Sequence, residues 1–137
     1  MSCCRQWATI HATAFGAALV VWTVALLSPV PHESAEKVLG GSFGVFLFAK
    51  SLHVGTYAGL TVLGGTVAMF GRKWVWVLPG LIAHGALTEF FQQFTGRTAR
   101  IEDVGLDTLG IAIGASIVWA VRSITPRRPS EAPSSPE

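Results

Sequence analysis

Long apolar runs separated by short polar breaks organise this chain. Ile10 to Leu27 holds only His11, Thr13 and Thr23 as polar members. At about 1.5 Å of rise per residue, a helix of that length reaches ~27 Å, close to the hydrocarbon thickness of a bilayer. A secretory leader would have an apolar core of only about 7–15 residues and a small-x-small cleavage site. Pro29 and Pro31 follow instead and end a helix. A second run extends from Val45 to Phe70 and stops at Gly71-Arg72-Lys73. A third, Trp74 to Phe91, contains Pro79-Gly80 and His84, and a fourth runs from Val104 to Val121. The pattern predicts an all-α integral membrane bundle of four transmembrane helices, at about 10–27, 45–70, 74–91 and 104–121.

The breaks between the runs complete this layout. Ser28 to Ser42 reads as a polar connection carrying Glu33, Glu36, Lys37 and Gly40-Gly41, and Thr95 to Asp103 as a polar loop. Residues 1–125 form one membrane domain, and the Pro- and Ser-rich residues 126–137 read as a disordered cytoplasmic tail. With both termini inside, Arg5, Arg72, Lys73, Arg122, Arg127 and Arg128 fall on the cytoplasmic side. Lys37, Lys50, Arg97 and Arg100 fall outside. The larger basic share is then cytoplasmic, and Trp7, Trp74, Trp76 and Trp119 lie near the inner interface, as expected for a plasma membrane protein with N-in, C-in topology.

Composition agrees with that reading and excludes others. Of 137 residues, 50% are hydrophobic and 13% charged, about half the charged share of a soluble domain; the mean hydropathy is +0.50. The net charge of +2, scattered in ones and twos, offers no stripe for nucleic acid. Cys3 and Cys4 are the only cysteines, so there is neither a disulfide framework nor a CxxC motif. No spacing of the H-x-x-x-H kind points to a metal, and no cofactor motif is present.

What the apolar pattern leaves unexplained is charge within it. Lys50, His53 and Tyr57 fall at i, i+3 and i+7 on the second span; Gly85, Glu89 and Gln92 share a face of the third. Asp103, Asp107, Gly110 and Gly114 fall on one stripe of the fourth, and Arg97 sits in the loop before it. The predicted topology brings all these polar groups to the outer end. Gly55-x-x-x-Gly59 and Gly110-x-x-x-Gly114 have the spacing that lets helices pack closely. A charge at membrane depth costs about 2.5–3.5 kcal/mol, so partners are needed whether the cluster is a site or a clasp. As a clasp, Lys50 and Arg97 would pair with Glu89 and Asp103. Arg100 and Glu102 read as solvated loop residues, and His84 as a core histidine bonded to a neighbour.

Lys50-x-x-His53-x-x-x-Tyr57-x-x-Leu60, then Glu89-x-x-Gln92-x-Phe94-x-Gly96-Arg97, then Asp103 with Gly110 and Gly114, together resemble the VanZ-like family. The resemblance covers roughly Val45 to Val121. It implies a small polytopic membrane protein of the cell envelope, and the founding member of the family is linked to low-level teicoplanin resistance. Two positions depart from the family pattern: Asp107 stands where asparagine is usual, and Thr95 where proline commonly precedes the Gly-Arg pair.

These features lead to an expected role as a binding protein, not an enzyme, since no nucleophile elbow, HExxH or other catalytic signature is present. Its partners would be membrane lipid and an envelope lipid or glycopeptide at the outer leaflet, met through Lys50, His53, Tyr57, Glu89, Gln92, Arg97, Asp103 and Asp107. The alternative is a membrane-embedded hydrolase or transferase using His53 as base with Glu89 or Asp103. A purely structural clasp is the third reading. A transport path would require a homo-oligomer, because four spans without an inverted repeat line no path alone.

Overall fold

The computed structural model describes residues 2–28, 32–67, 74–95 and 100–124. Helix α1 (Ser2–Leu27) is followed by a short α2 (His32–Leu39) and then by α3 (Ser42–Thr66), α4 (Val77–Gln92) and α5 (Ile101–Ile124). Four helices are long and apolar enough to cross a membrane: Gln6–Leu27, Ser42–Thr66, Trp74–Gln92 and Ile101–Ile124. Large apolar side chains such as Val20, Val21, Phe48, Leu87, Ile113 and Trp119 point outward and stay exposed. A contiguous apolar exterior of this kind is the surface a bilayer covers. The protein is an all-α membrane protein.

The structure moves several predicted boundaries. The Ser28–Ser42 connection contains α2, which an apolarity criterion cannot see because Glu, Ala and Lys form helix without forming a span. That helix ends in a glycine pair: Gly40 and Gly41 have φ of 75° and 103°. The Gly41 amide donates to the Glu36 carbonyl at 2.8 Å, so the left-handed turn absorbs orphan carbonyls at the helix end. α3 passes into extended backbone at Val67, before the predicted end at Phe70, which lies outside the described residues. Pro79 falls in the first turn of α4, where its missing amide would have no partner anyway, so it introduces no kink at depth. α5 begins before its apolar stretch because Glu102 and Asp103 suit a helix N-terminus. The predicted disordered tail lies outside the described residues.

The core joins one stripe from each long helix. Tyr57, Leu60, Leu81 and Ile111 form its centre, and Phe15, Ala18, Leu19 and Trp22 of α1 pack over them at helical spacing. α3 and α5 make the most extensive pairing, and glycine sets how close it is. A Cβ added at Gly110 would fall on the carbonyl oxygen of Val54, and one at Gly114 on that of Ala58. The predicted packing pair Gly55 and Gly59 does not take part: both face away from the bundle, and a Cβ at either meets nothing within 4 Å. On α3 it is therefore the neighbouring Val54 and Ala58 backbone that α5 approaches.

At the other end of this pair, Arg122 of α5 donates to the Gly65 carbonyl (2.6 Å) at the C-terminal turn of α3 and lies over the Trp74 ring at 5.2 Å. A cation there meets both the helix dipole and an aromatic face. Gly110→Ala and Gly114→Ala are each expected to lower stability in detergent by about 1–3 kcal/mol through forced separation of α3 and α5. Gly59→Ala should be neutral or stabilising, since it removes a helix-breaking residue at an open position; thermal unfolding of the purified variants checks the contrast.

Candidate functional site

The end of the bundle where α3 and α5 begin and α4 finishes collects the charged groups. Lys50 of α3 forms an ion pair with Asp103 of α5, their side chains only 16% and 12% exposed. One turn deeper, His53 Nδ1 lies 2.7 Å from Asp107 Oδ1. With the carboxylate accepting, the proton lies on Nδ1, and in the neutral ring the lone pair is then on Nε2. Asp107 is 1% exposed, and its Oδ2 has no hydrogen-bond partner. That oxygen sits where a Cβ on Gly85 would be, so only glycine at 85 leaves room for the carboxylate. Glu89 Oε2 accepts the Arg100 amide at 2.8 Å, which fixes the start of α5 against the end of α4.

A second polar string runs inward from this cluster. Tyr57, His84 and Thr23 are linked by contacts of 2.8 Å on either nitrogen of the His84 ring. Thr23 Oγ1 spends its one proton on the Leu19 carbonyl at 2.7 Å. It must then accept from His84 Nε2–H, which leaves Nδ1 to accept from the Tyr57 hydroxyl. Every hydrogen in the string is used once. Gln92 Nε2 donates to the Leu26 carbonyl at 3.0 Å and ties α4 to α1.

The fold thus brings together Lys50, His53, Glu89, Asp103 and Asp107 from three helices, while Tyr57 and Gln92 serve mainly as ties to the neighbouring helices. Arg97 lies outside the described residues. Of the pairings foreseen for a clasp, Lys50 with Asp103 forms. The partner of His53 is Asp107, not the Glu89 or Asp103 considered for an acid–base pair. Arg100 and Glu102 make only an exposed contact at 4.0 Å. The sequence reading missed the contribution of α1 to these polar groups. Trp22 packs edge-on to the His53 ring, 5.8 Å between centroids, and Thr23 closes the Tyr57–His84 string. The available signal was a tryptophan and a threonine deep in an apolar run, far from the interface where the other indoles sit. An apolar crevice of about 310 Å³ between α1 and α4, lined by Phe15, Leu19, Trp76, Val77, Gly80, Leu81 and His84, is no second polar site, because both nitrogens of its histidine are engaged.

Removing one member of a buried ion pair strands the other, at a cost of about 3–5 kcal/mol. Lys50→Met and Asp103→Leu are each expected to destabilise the bundle by an amount in that range. The double variant should recover most of the loss, and a double-mutant cycle on thermal or denaturant unfolding measures the coupling.

A family model described as VanZ/LLP1 matches residues 9–122, which includes all four spans and every residue of the cluster. No curated protein and no solved structure matches the chain. Asp107 is the group that holds His53. With the matched region covering most of its length, the chain belongs to the VanZ-like family.

Proposed function

We propose that the polar end of the bundle recognises the head group of an envelope lipid or lipid-linked glycopeptide at the outer leaflet of the plasma membrane, with both termini cytoplasmic. One observation carries this reading: three helices place Lys50, His53, Glu89, Asp103 and Asp107 at a single end, at a depth where each charge is expensive. The two helices that supply the closest pairs, α3 and α5, already pack through Gly110 and Gly114.

The pairing assigns roles that differ from those suggested by residue type. Lys50 is engaged by Asp103, so it orients the carboxylate and does not stand ready for phosphate. The carboxylates suit hydroxyl, amide and amine groups of a sugar or peptide head group, and Arg97 is the residue assigned to its anionic part. Full-length protein in nanodiscs should bind a lipid-linked envelope precursor, and Arg97→Ala should weaken that binding at least tenfold, about 1.4 kcal/mol. Unchanged affinity in Arg97→Ala would overturn the reading.

A second reading is favoured by the His53–Asp107 contact. A histidine whose Nδ1 proton is held by a buried carboxylate presents Nε2 as a general base, an arrangement that contributes about 10²–10⁴-fold in rate where a substrate proton lies within reach. It predicts release or transfer of the bound head group by the wild type and loss of that turnover in His53→Ala with binding retained. Mass spectrometry of the lipid products distinguishes this from binding alone.

A further inference from the structure

We propose that His53, Glu89 and Asp103 form a binding site for a divalent cation of the Mn²⁺ or Zn²⁺ class. All three residues are buried, and one donor atom from each lies within 4.8 Å of the others. Three donors about 2.0–2.2 Å from a shared ion lie about 3.3–3.8 Å from one another, so side-chain movement of about an ångström closes the set. One imidazole with two carboxylates is a donor set suited to Mn²⁺ or Zn²⁺ and leaves positions open for an oxygen ligand.

Two independent features support the assignment. The first is the orientation of His53. Asp107 Oδ1 lies 2.7 Å from Nδ1, which in the neutral ring leaves Nε2 as the donor for an ion; carboxylate–histidine–metal arrangements have this form. The second is charge. Among the described residues the only ion pair that Glu89, Asp103 and Asp107 make with a fixed cation is Lys50–Asp103, and Asp107 keeps a buried oxygen without a hydrogen-bond partner. A divalent ion offsets that excess where water cannot. Its open positions would also attract a phosphate or hydroxyl, but the cation site does not rest on the head-group reading and is tested without lipid. No local spacing marks the site along the chain, because the ligands come from α3, α4 and α5.

The test is equilibrium dialysis of the metal-stripped, full-length protein in detergent against Mn²⁺ and, separately, Zn²⁺. Metal content is read by mass spectrometry, and bound Mn²⁺ also by electron paramagnetic resonance. About one ion per chain is expected. Glu89→Gln and His53→Ala should each reduce affinity by at least tenfold, and Asp107→Asn, which touches no ion, by about 10–100-fold. Lys50 competes for Asp103, so Lys50→Met should tighten binding. A wild type that takes up less than about a fifth of an equivalent of either metal overturns the proposal without recourse to any variant. Equal affinity in wild type and a folded Glu89→Gln, or weaker binding in a Lys50→Met shown to be folded at the assay temperature, also overturns it.

Discussion

At Gly110 and Gly114 the backbone of α5 lies against the carbonyls of Val54 and Ala58 on α3, and the charged end of the bundle depends on that approach. Lys50 and His53 sit on the same stretch of α3, and Asp103 and Asp107 lie about two turns and one turn before Gly110 on α5. Because a helix carries its side chains rigidly, closeness at the glycines delivers closeness at the charges. Both pairs form as a consequence. In hydrocarbon there is no hydrophobic force to draw helices together, so small residues and interhelical polar contacts must do so. Here the two devices lie on one stripe and reinforce each other.

The rest of the polar groups follow from the same shortage of water. The Tyr57–His84–Thr23 string uses each proton once and ends on a backbone carbonyl. Gln92 finds the Leu26 carbonyl, and Arg122 that of Gly65. Among the described residues the buried side-chain atoms without a hydrogen-bond partner are His11 Nδ1, Trp22 Nε1 and Asp107 Oδ2, and the last coincides with the acidic surplus around His53. That coincidence marks the place where the bundle has polar capacity beyond what its own packing requires, and both the head-group and the cation proposals build on it.

Much of this could be read along the chain. Apolar run length determined four spans because a bilayer leaves no other way to satisfy backbone groups at depth. Helical spacing on each span placed Lys50 with His53, Glu89 with Gln92, and Asp103 with Asp107, since those relations are local. Placement of all three stripes at one end followed from counting crossings. The short helix α2 and the early start of α5 escaped because both are helical without being apolar.

Which stripe meets which residue was decided only in three dimensions. Two glycine pairs had the same spacing, yet only Gly110 and Gly114 are used; rotation of α3 about its axis turns Gly55 and Gly59 outward. The same rotation gives His53 to Asp107 in preference to Glu89 or Asp103, and admits Trp22 and Thr23 of α1 to the polar groups. Local sequence determines which side chains share a face of one helix. The angle at which that face is presented to its neighbours depends on packing summed over all the helices, and no single stretch of sequence contains it.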